Sequence, residues 1–197
     1  TEAILAEYYE AAYGPAAAPI KEYFERIGKS YGAWAGTQAK VAADECHDDS
    51  WVVPTYEPIR RRCDELIQKA AAAAGDGDAA LQRRVKIVAD GWEWTKLQTD
   101  TIKGIEEFKK DHSKENARMM LDILKRRQAF CEAHAAADNY AISVPEVKMT
   151  DEGRAFPIAP GEYEAVLSGA VKAIHVPLVQ TAGNPEASLD TLPWDKA

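Results

Sequence analysis

The sequence predicts an all-α protein, an antiparallel bundle of about five helices followed by an extended, proline-rich C-terminal tail. Up to about Tyr140 the chain is rich in Ala, Glu, Lys, Arg and Leu, which favour helices, and its apolar residues recur at helical spacing. Beyond that point, six of the ten prolines fall within the last 57 residues, a density that excludes long helices and indicates a linker or edge strands. We therefore expect the bundle over 1–138, a linker or short strands over 139–172, and a separate segment over 173–197.

The first two helices are predicted to meet at Gly14-Pro15. Glycine and proline end the first helix there, and the second begins between Pro15 and Pro19 because proline is tolerated in a first helical turn. The apolar stripe of the first helix comprises Ile4, Leu5, Tyr8, Tyr9 and Ala12. The stripe of the second comprises Ile20, Tyr23, Phe24, Ile27 and Tyr31. We expect the two stripes to pack against each other where the helices meet.

Three further helices complete the predicted bundle. The third spans about Thr55–Ala74, and Gly75 ends it. Asp78 is the expected N-cap of a fourth helix that ends near Lys110, and Ser113 is the expected N-cap of the fifth. Their inward-facing residues are Ile59, Cys63, Leu66, Ile67 and Ala70 in the third, Leu81, Val85, Val88, Trp92 and Ile102 in the fourth, and Ala117, Met120, Leu121, Leu124 and Cys131 in the fifth. Connections this short favour antiparallel neighbours.

Two parts of the chain give no single structural prediction. In the tail, Ala141–Val144 and Glu164–Val171 are candidate strands, although the second fits a short helix equally well. The segment Gly32–Pro54 mixes alanines with polar residues and contains Trp34 and Trp51. An exposed tryptophan ring there would be suited to stacking on a sugar, whereas core packing is the alternative for both.

Charge and composition exclude several classes of protein. With 24 Lys and Arg against 32 Asp and Glu, the formal net charge is −8, whereas nucleic-acid and anionic-membrane binders need a basic face. No apolar stretch approaches the roughly 18–20 residues of a membrane span, and no signal-peptide pattern opens the chain. We therefore expect neither nucleic acid nor a membrane among the partners. The first residue is Thr1 rather than Met, so we expect the ends of a mature chain or of an excised fragment.

Potential metal ligands are concentrated in the acidic run Asp44–Asp49. Cys46, His47 and Asp48 are the candidates there, but their spacing fits neither the paired ligands of a zinc site nor an EF-hand loop. We expect a solvated acidic loop, with a metal site or a disulfide from Cys46 as alternatives. The other two cysteines lie on apolar helix faces and are expected to be plain buried thiols.

No catalytic residue and no cofactor are predicted. Pairs of carboxylates such as Glu7 with Glu10, or Glu106 with Glu107, lie off the apolar stripes, so we interpret them as solvated faces rather than as a glycosidase pair. No nucleophile-elbow, Walker or dinucleotide-binding glycine motif occurs in the sequence.

The opening motif, Glu7–Ala17 followed by Pro19–Phe24, is distinctive. It resembles the Tyr-Tyr-Gly-Pro-Ala-Ala…Pro-Ile…Tyr signature of a bacterial family of uncharacterised glycoside hydrolases that look related to α-glucuronidases. In that family the motif opens a helical region that follows a TIM-like catalytic barrel, and Leu81–Val85 is similar to the start of a long helix there. The resemblance covers about residues 1–137. It implies that the catalytic carboxylates lie in the barrel, so none is assigned to this chain.

The end of the chain carries a second resemblance. Ala173–Leu178 and the stretch from Gly183 to Trp194-Asp195-Lys196-Ala197 are similar to the start of a family-9-type carbohydrate-binding β-sandwich. The glycine that usually follows the aspartate of that motif is replaced by Thr191. The resemblance implies a truncated module over 173–197, with a plain linker as the alternative.

Together the resemblances imply a non-catalytic helical support region of a bacterial, extracytoplasmic, carbohydrate-active protein. Its partners would be other domains of the same polypeptide and, through them, a polysaccharide. Tyr9, Tyr13 and Tyr23 flank Gly14-Pro15, and we expect them to form a barrel-docking surface with at least one ring partly exposed. Packing of all three rings inside the bundle is the alternative. The rival functions are a free-standing helical protein-interaction module and a small metalloenzyme built on Asp44–Asp49.

Overall fold

A computed structural model of the protein describes residues 2–37, 49–76, 78–135 and 160–169. These residues form seven α-helices and include no strand, so the prediction of an all-α bundle is confirmed. The helices are α1 (Glu2–Tyr13), α2 (Ala17–Thr37), α3 (Val52–Tyr56), α4 (Arg60–Ala74), α5 (Ala79–Lys110), α6 (Lys114–Ala135) and α7 (Pro160–Ser168). Short 3₁₀ turns cover Gly14–Ala16, Asp49–Trp51 and Glu57–Ile59. No helix in the described ranges has the length and hydropathy of a membrane span.

Two predicted helix caps are confirmed. The Oδ1 atom of Asp78 accepts hydrogen bonds from the amides of Ala80 and Leu81 at 2.8 and 3.0 Å, which fixes the start of α5. The Oγ atom of Ser113 accepts one from the amide of Asn116 at 3.2 Å and so caps α6. Each cap satisfies amides that have no partner within the first turn of their helix.

The third predicted helix corresponds to α3 and α4 together. It begins at Val52, three residues earlier than predicted, and a 3₁₀ turn over Glu57–Ile59 interrupts it. Pro58 lies in this turn, and its ring nitrogen has no hydrogen to donate to the helical ladder. The α2 helix extends as far as Thr37, and residues 38–48 of the segment with no single prediction lie outside the described residues.

The main core lies among the last turn of α1, α2, α4 and the first half of α5. Trp92 is buried in it, and the centroids of the Tyr23 and Tyr56 rings lie 5.7 and 6.3 Å from the Trp92 ring. The indole N–H donates to Asp64 Oδ1 at 2.8 Å, so the polar atom of this buried ring is satisfied. Trp94, two residues later on the helix, points to a different side and is only half-buried.

A second core forms where the α5–α6 hairpin meets α7. Tyr163 and Val166 of α7 are both buried there, and the Tyr163 ring centroid lies 4.7 Å from that of Phe108. Gly104 permits the close approach of α6, because a Cβ atom at that position would overlap the Sδ atom of Met120.

The described part of the tail is helical, whereas the sequence predicted an extended tail. Of the two alternatives for Glu164–Val171, the helix is correct as far as Ser168. Gly169 follows with a φ of 75°, a left-handed conformation that glycine adopts freely and that commonly ends helices. The candidate strand Ala141–Val144 and the sandwich-like segment 173–197 lie outside the described residues.

Candidate functional site

The α1 helix is fixed to the bundle at one end. Its last residue, Tyr13, is 8% exposed and belongs to the main core. One residue earlier, the Ala12 carbonyl accepts a hydrogen bond from Arg84 Nε of α5 at 2.5 Å. Before Tyr9, however, every described side chain of the helix is exposed. The last turn therefore anchors α1, while its first two turns have little cover.

An apolar surface results, termed here the α1 face. Its four residues, with their exposed fractions, are Ile4 (70%), Leu5 (48%), Tyr8 (56%) and Phe24 (42%). The half-buried ring of Tyr9 connects the two helices, since its centroid lies 5.6 Å from that of Tyr8 and 6.4 Å from that of Phe24. The predicted packing between the α1 and α2 stripes is thus correct for the last turns of α1 and wrong for the first two.

Two acidic residues of α1, Glu2 and Glu7, border the α1 face, since they lie three residues from Leu5 and Ile4 respectively. The α1 helix carries three acids and no basic residue: Glu2, Glu7 and Glu10. None of the three forms an ion pair within the described ranges of the chain. By contrast, Glu25 on the neighbouring helix lies between Lys21 and Lys29, at 3.8 and 3.9 Å. The carboxylates beside the α1 face therefore have negative charge that no described residue of this chain neutralises.

The three predicted docking tyrosines do not share one exposed surface. Tyr13 and Tyr23 are buried in the main core, so their assignment to a docking surface is corrected. Burial is the largest cause of the raised pKa of both hydroxyl groups. Tyr9 is half-buried, in line with the expectation that at least one ring stays partly exposed. Sequence reasoning missed Tyr8 and Phe24 as surface residues, because an apolar stripe does not show how far along the helix its neighbour extends.

The structure brings the two predicted sugar-stacking residues together. Tyr31 lies between them, with its ring centroid 5.8 Å from that of Trp34 and 5.7 Å from that of Trp51. Trp34 and Trp51 are half-buried and Tyr31 is exposed. On its inner side the Trp51 ring contacts Tyr56, at 5.8 Å, so the cluster packs onto the core. The spacing of Tyr31 and Trp34, three residues apart on a helix, was the signal for the third ring.

The predicted metal ligands Cys46, His47 and Asp48 lie outside the described residues. Within the described ranges, no three His, Cys, Asp or Glu side chains are grouped as a metal site requires. Cys63 is free and fully buried, and burial raises the pKa of its thiol to about 11. It is therefore protonated at neutral pH and unreactive, as predicted for a plain buried thiol. Cys131, also expected to be buried, is only half-buried.

A glycosidase general acid needs a carboxyl group with a raised pKa. The described carboxyls that have a shifted pKa all have a lowered one: Glu22, Glu57, Glu65, Asp78 and Asp100. A hydrogen bond from Lys103, at 2.5 Å, is the main cause for Glu57, and the backbone amide of Leu81 is the main cause for Asp78. These carboxylates are held in their charged form and serve as ion-pair partners and caps.

No protein family, curated protein or solved structure matches this chain. Inferences about function therefore depend on the geometry of the described residues and on the motif at the start of the chain. At the α1 face, exposed apolar side chains lie beside acids that have no ion-pair partner among the described residues.

Proposed function

We propose that this chain is a non-catalytic helical support region that docks onto another protein domain through the α1 face. The observation that carries the proposal is the exposure of Ile4, Leu5, Tyr8 and Phe24 beside a helix whose last turn is fixed in the core. A 12-residue helix is only marginally stable in water without tertiary packing. Contiguous exposed apolar residues rimmed by polar ones commonly mark protein interfaces. A domain that covers the α1 face would remove this apolar area from water and support the free half of α1.

The proposed parent is a bacterial, extracytoplasmic, carbohydrate-active protein. This part of the proposal rests on the resemblance of Glu7–Phe24 to the motif that follows the catalytic barrel in the α-glucuronidase-like family. Tyr8 and Phe24 of the α1 face belong to that motif, and Ile4 and Leu5 precede it, so the exposed surface overlaps the resembling residues. The barrel of the same polypeptide is the proposed partner, and carbohydrate is bound through it.

Hydrogen exchange tests the docking. The amides of α1 are compared in this chain alone and in the polypeptide that the complete gene encodes. We expect exchange of the first two turns to slow by about tenfold or more in the complete polypeptide, because docking suppresses local opening. Amides of α6 around the exposed Met119 serve as the control and should exchange equally in both. Unchanged exchange in α1 would contradict the docking. Separately, a stretch of roughly 200 residues or more with alternating α and β patterns, encoded before Thr1 in the complete gene, would support the barrel as the partner.

An activity assay tests the non-catalytic part of the proposal. We expect the chain by itself to hydrolyse no aryl-glycoside, because the described carboxyls with shifted pKa values are all held in their charged form. Turnover that survives purification and disappears when a single Glu is changed to Gln would contradict this expectation.

A free-standing helical interaction module is the second candidate function. The Tyr31–Trp34–Trp51 cluster favours it, because it gives the bundle a second surface with an exposed aromatic ring, away from the motif. The two candidates differ in where the docking partner is encoded. An open reading frame that starts directly before Thr1 and encodes no barrel would favour the free-standing module.

A further inference from the structure

We infer that the partner of the α1 face is a protein surface with an apolar groove bordered by lysine or arginine side chains, which receives the first half of α1. The inference rests on the proposed function and adds the chemistry of the partner to it. It follows from two independent features of α1, namely the spacing of its exposed apolar residues and the charge beside them.

The apolar residues have the spacing of a helix that binds in a groove. Ile4 and Tyr8 are four residues apart and lie on one side of the helix, and Leu5 widens this side. The exposed Ala11 continues the same side one turn later, where its small side chain permits a close approach of a second backbone. Phe24 of α2 borders the exposed side and limits how far a partner can extend across the bundle.

The carboxylates beside the α1 face indicate which side chains border the groove of the partner. Glu2 and Glu7, which border the face, have no ion-pair partner among the described residues, and α1 has no basic residue to balance them. Covering the face with a neutral or acidic rim would desolvate these carboxylates without compensation, whereas lysine or arginine would pair with them. A second copy of this chain is disfavoured for the same reason. A two-fold contact would bring both sets of acids together, and each chain already carries a net charge of −8.

Two synthetic peptides test the inference on the full 197-residue chain. Both are helical hairpins in which leucine side chains of the two helices line a groove, bordered by lysine in the first peptide and by glutamate in the second. By fluorescence anisotropy, we expect the leucine–lysine peptide to bind at least about tenfold more tightly than the leucine–glutamate peptide. The double variant Leu5→Ser/Tyr8→Ser should weaken this binding by about tenfold or more, since it removes the apolar anchors. The double variant Glu2→Gln/Glu7→Gln should weaken it about three- to tenfold and reduce its dependence on salt.

Matched variants on another face separate this site from general charge attraction. Met119→Ser and Glu106→Gln change exposed residues of α6 and α5, and we expect neither to alter peptide binding. Equal losses from these controls and from the α1 variants would overturn the inference. So would equal binding of both peptides, or no binding of the leucine–lysine peptide at about 100 μM.

Self-association is measured in parallel by sedimentation. A dimer of the chain that Tyr8→Ser abolishes would identify a second copy as the occupant and overturn the inference.

The hydrogen-exchange comparison stays an independent readout of the proposed function. If the α1 amides are protected from exchange in the complete polypeptide but the chain binds both peptides equally, the docking proposal is retained and the inferred basic rim is wrong. If α1 is not protected there, the proposed function itself fails.

Discussion

Tyr8 and Tyr13 stand five residues apart on one helix and have opposite surroundings, the first exposed and the second buried in the main core. We expect Tyr13→Ala to lower the free energy of unfolding by about 3–5 kcal/mol, as core aromatic truncations do. Tyr8→Ala removes an exposed ring and its edge-on contacts with Tyr9 at 5.6 Å and Tyr13 at 6.5 Å, so its cost should be at most about 1 kcal/mol. Urea denaturation followed by circular dichroism measures both values.

This expectation reverses the one that the sequence suggested for Tyr13. Tyr13 lies where the apolar stripes of the first two predicted helices meet, a position consistent with a docking surface. Truncation of a residue on such a surface would change the free energy of unfolding little. The structure instead buries Tyr13 in the main core, together with residues of α2, α4 and α5. Equal and small losses for Tyr8→Ala and Tyr13→Ala would show that the core does not include Tyr13.

Asp100 of α5 is an ion-pair centre between α4 and α6. Its carboxylate binds Arg60, with one N···O distance of 3.1 Å, and Arg126 at 3.3 Å. Partial burial alone would raise the pKa of Asp100, but hydrogen bonding and charge from Arg60, with the charge of Arg126, hold it below the ordinary value. A carboxyl with a lowered pKa in the folded state stabilises the fold above its unfolded pKa, near 4, and this contribution is lost as the pH falls through the folded pKa.

We therefore expect Asp100→Asn to be destabilising at pH 7 and to differ progressively less from the wild type as the pH falls below about 4. Unfolding free energies from urea titrations between pH 7 and pH 2 measure the difference. The matched control is Asp122→Asn, since Asp122 pairs with the same Arg126 at 3.4 Å but is well exposed. It should change stability little at any pH, because exposed pairs contribute little. A difference for Asp100→Asn that persists undiminished at pH 2 would contradict the electrostatic account.

At the scale of the elements, we expect alanine substitutions at two glycines of α5 to have opposite effects on stability. A Cβ atom on Gly104 would overlap Met120 Sδ and lie 3.1 Å from Ile123 Cδ1, whereas one on Gly91 would have no neighbour within 4 Å. We expect Gly104→Ala to destabilise the protein by about 1–3 kcal/mol through overpacking of the α5–α6 contact. Gly91→Ala should stabilise it by about 0.5–1 kcal/mol, because alanine loses less backbone entropy in a helix. Thermal or urea unfolding of the two variants gives the signs, and a shared sign would refute this packing at Gly104.

The sequence predicted best the helix ends that are determined by residues within one turn. Asp78 and Ser113 cap helices through amides two or three residues away, so the starts of α5 and α6 are determined within one turn. The exposure of Ile4 could not be predicted in this way, because it depends on how far α2 runs alongside α1. Trp34 and Trp51 were identified separately, but their meeting at Tyr31 depends on the path of the chain between them.

At the scale of the whole molecule, α5 connects two cores that share no residue. Trp92 belongs to the first and Phe108 to the second, and the 16 positions between them correspond to about 24 Å of helix. The first core gathers helices from the start of the chain, and the second gathers α6 and α7. The α5 helix is thus the element that contributes residues to both cores.

This division predicts that the two cores open independently. Tyr163→Ala should remove the contact of α7 with Phe108, at 4.7 Å between ring centroids, and expose the second core. Native-state hydrogen exchange should then quicken by about tenfold or more around Met120, while amides near Trp92 stay protected, since local opening follows cooperative units. Glu164→Ala is the matched control, because Glu164 is exposed on the same helix and should leave both regions unchanged. If protection near Trp92 falls as much as protection near Met120, α5 transmits the loss and the molecule unfolds as one unit.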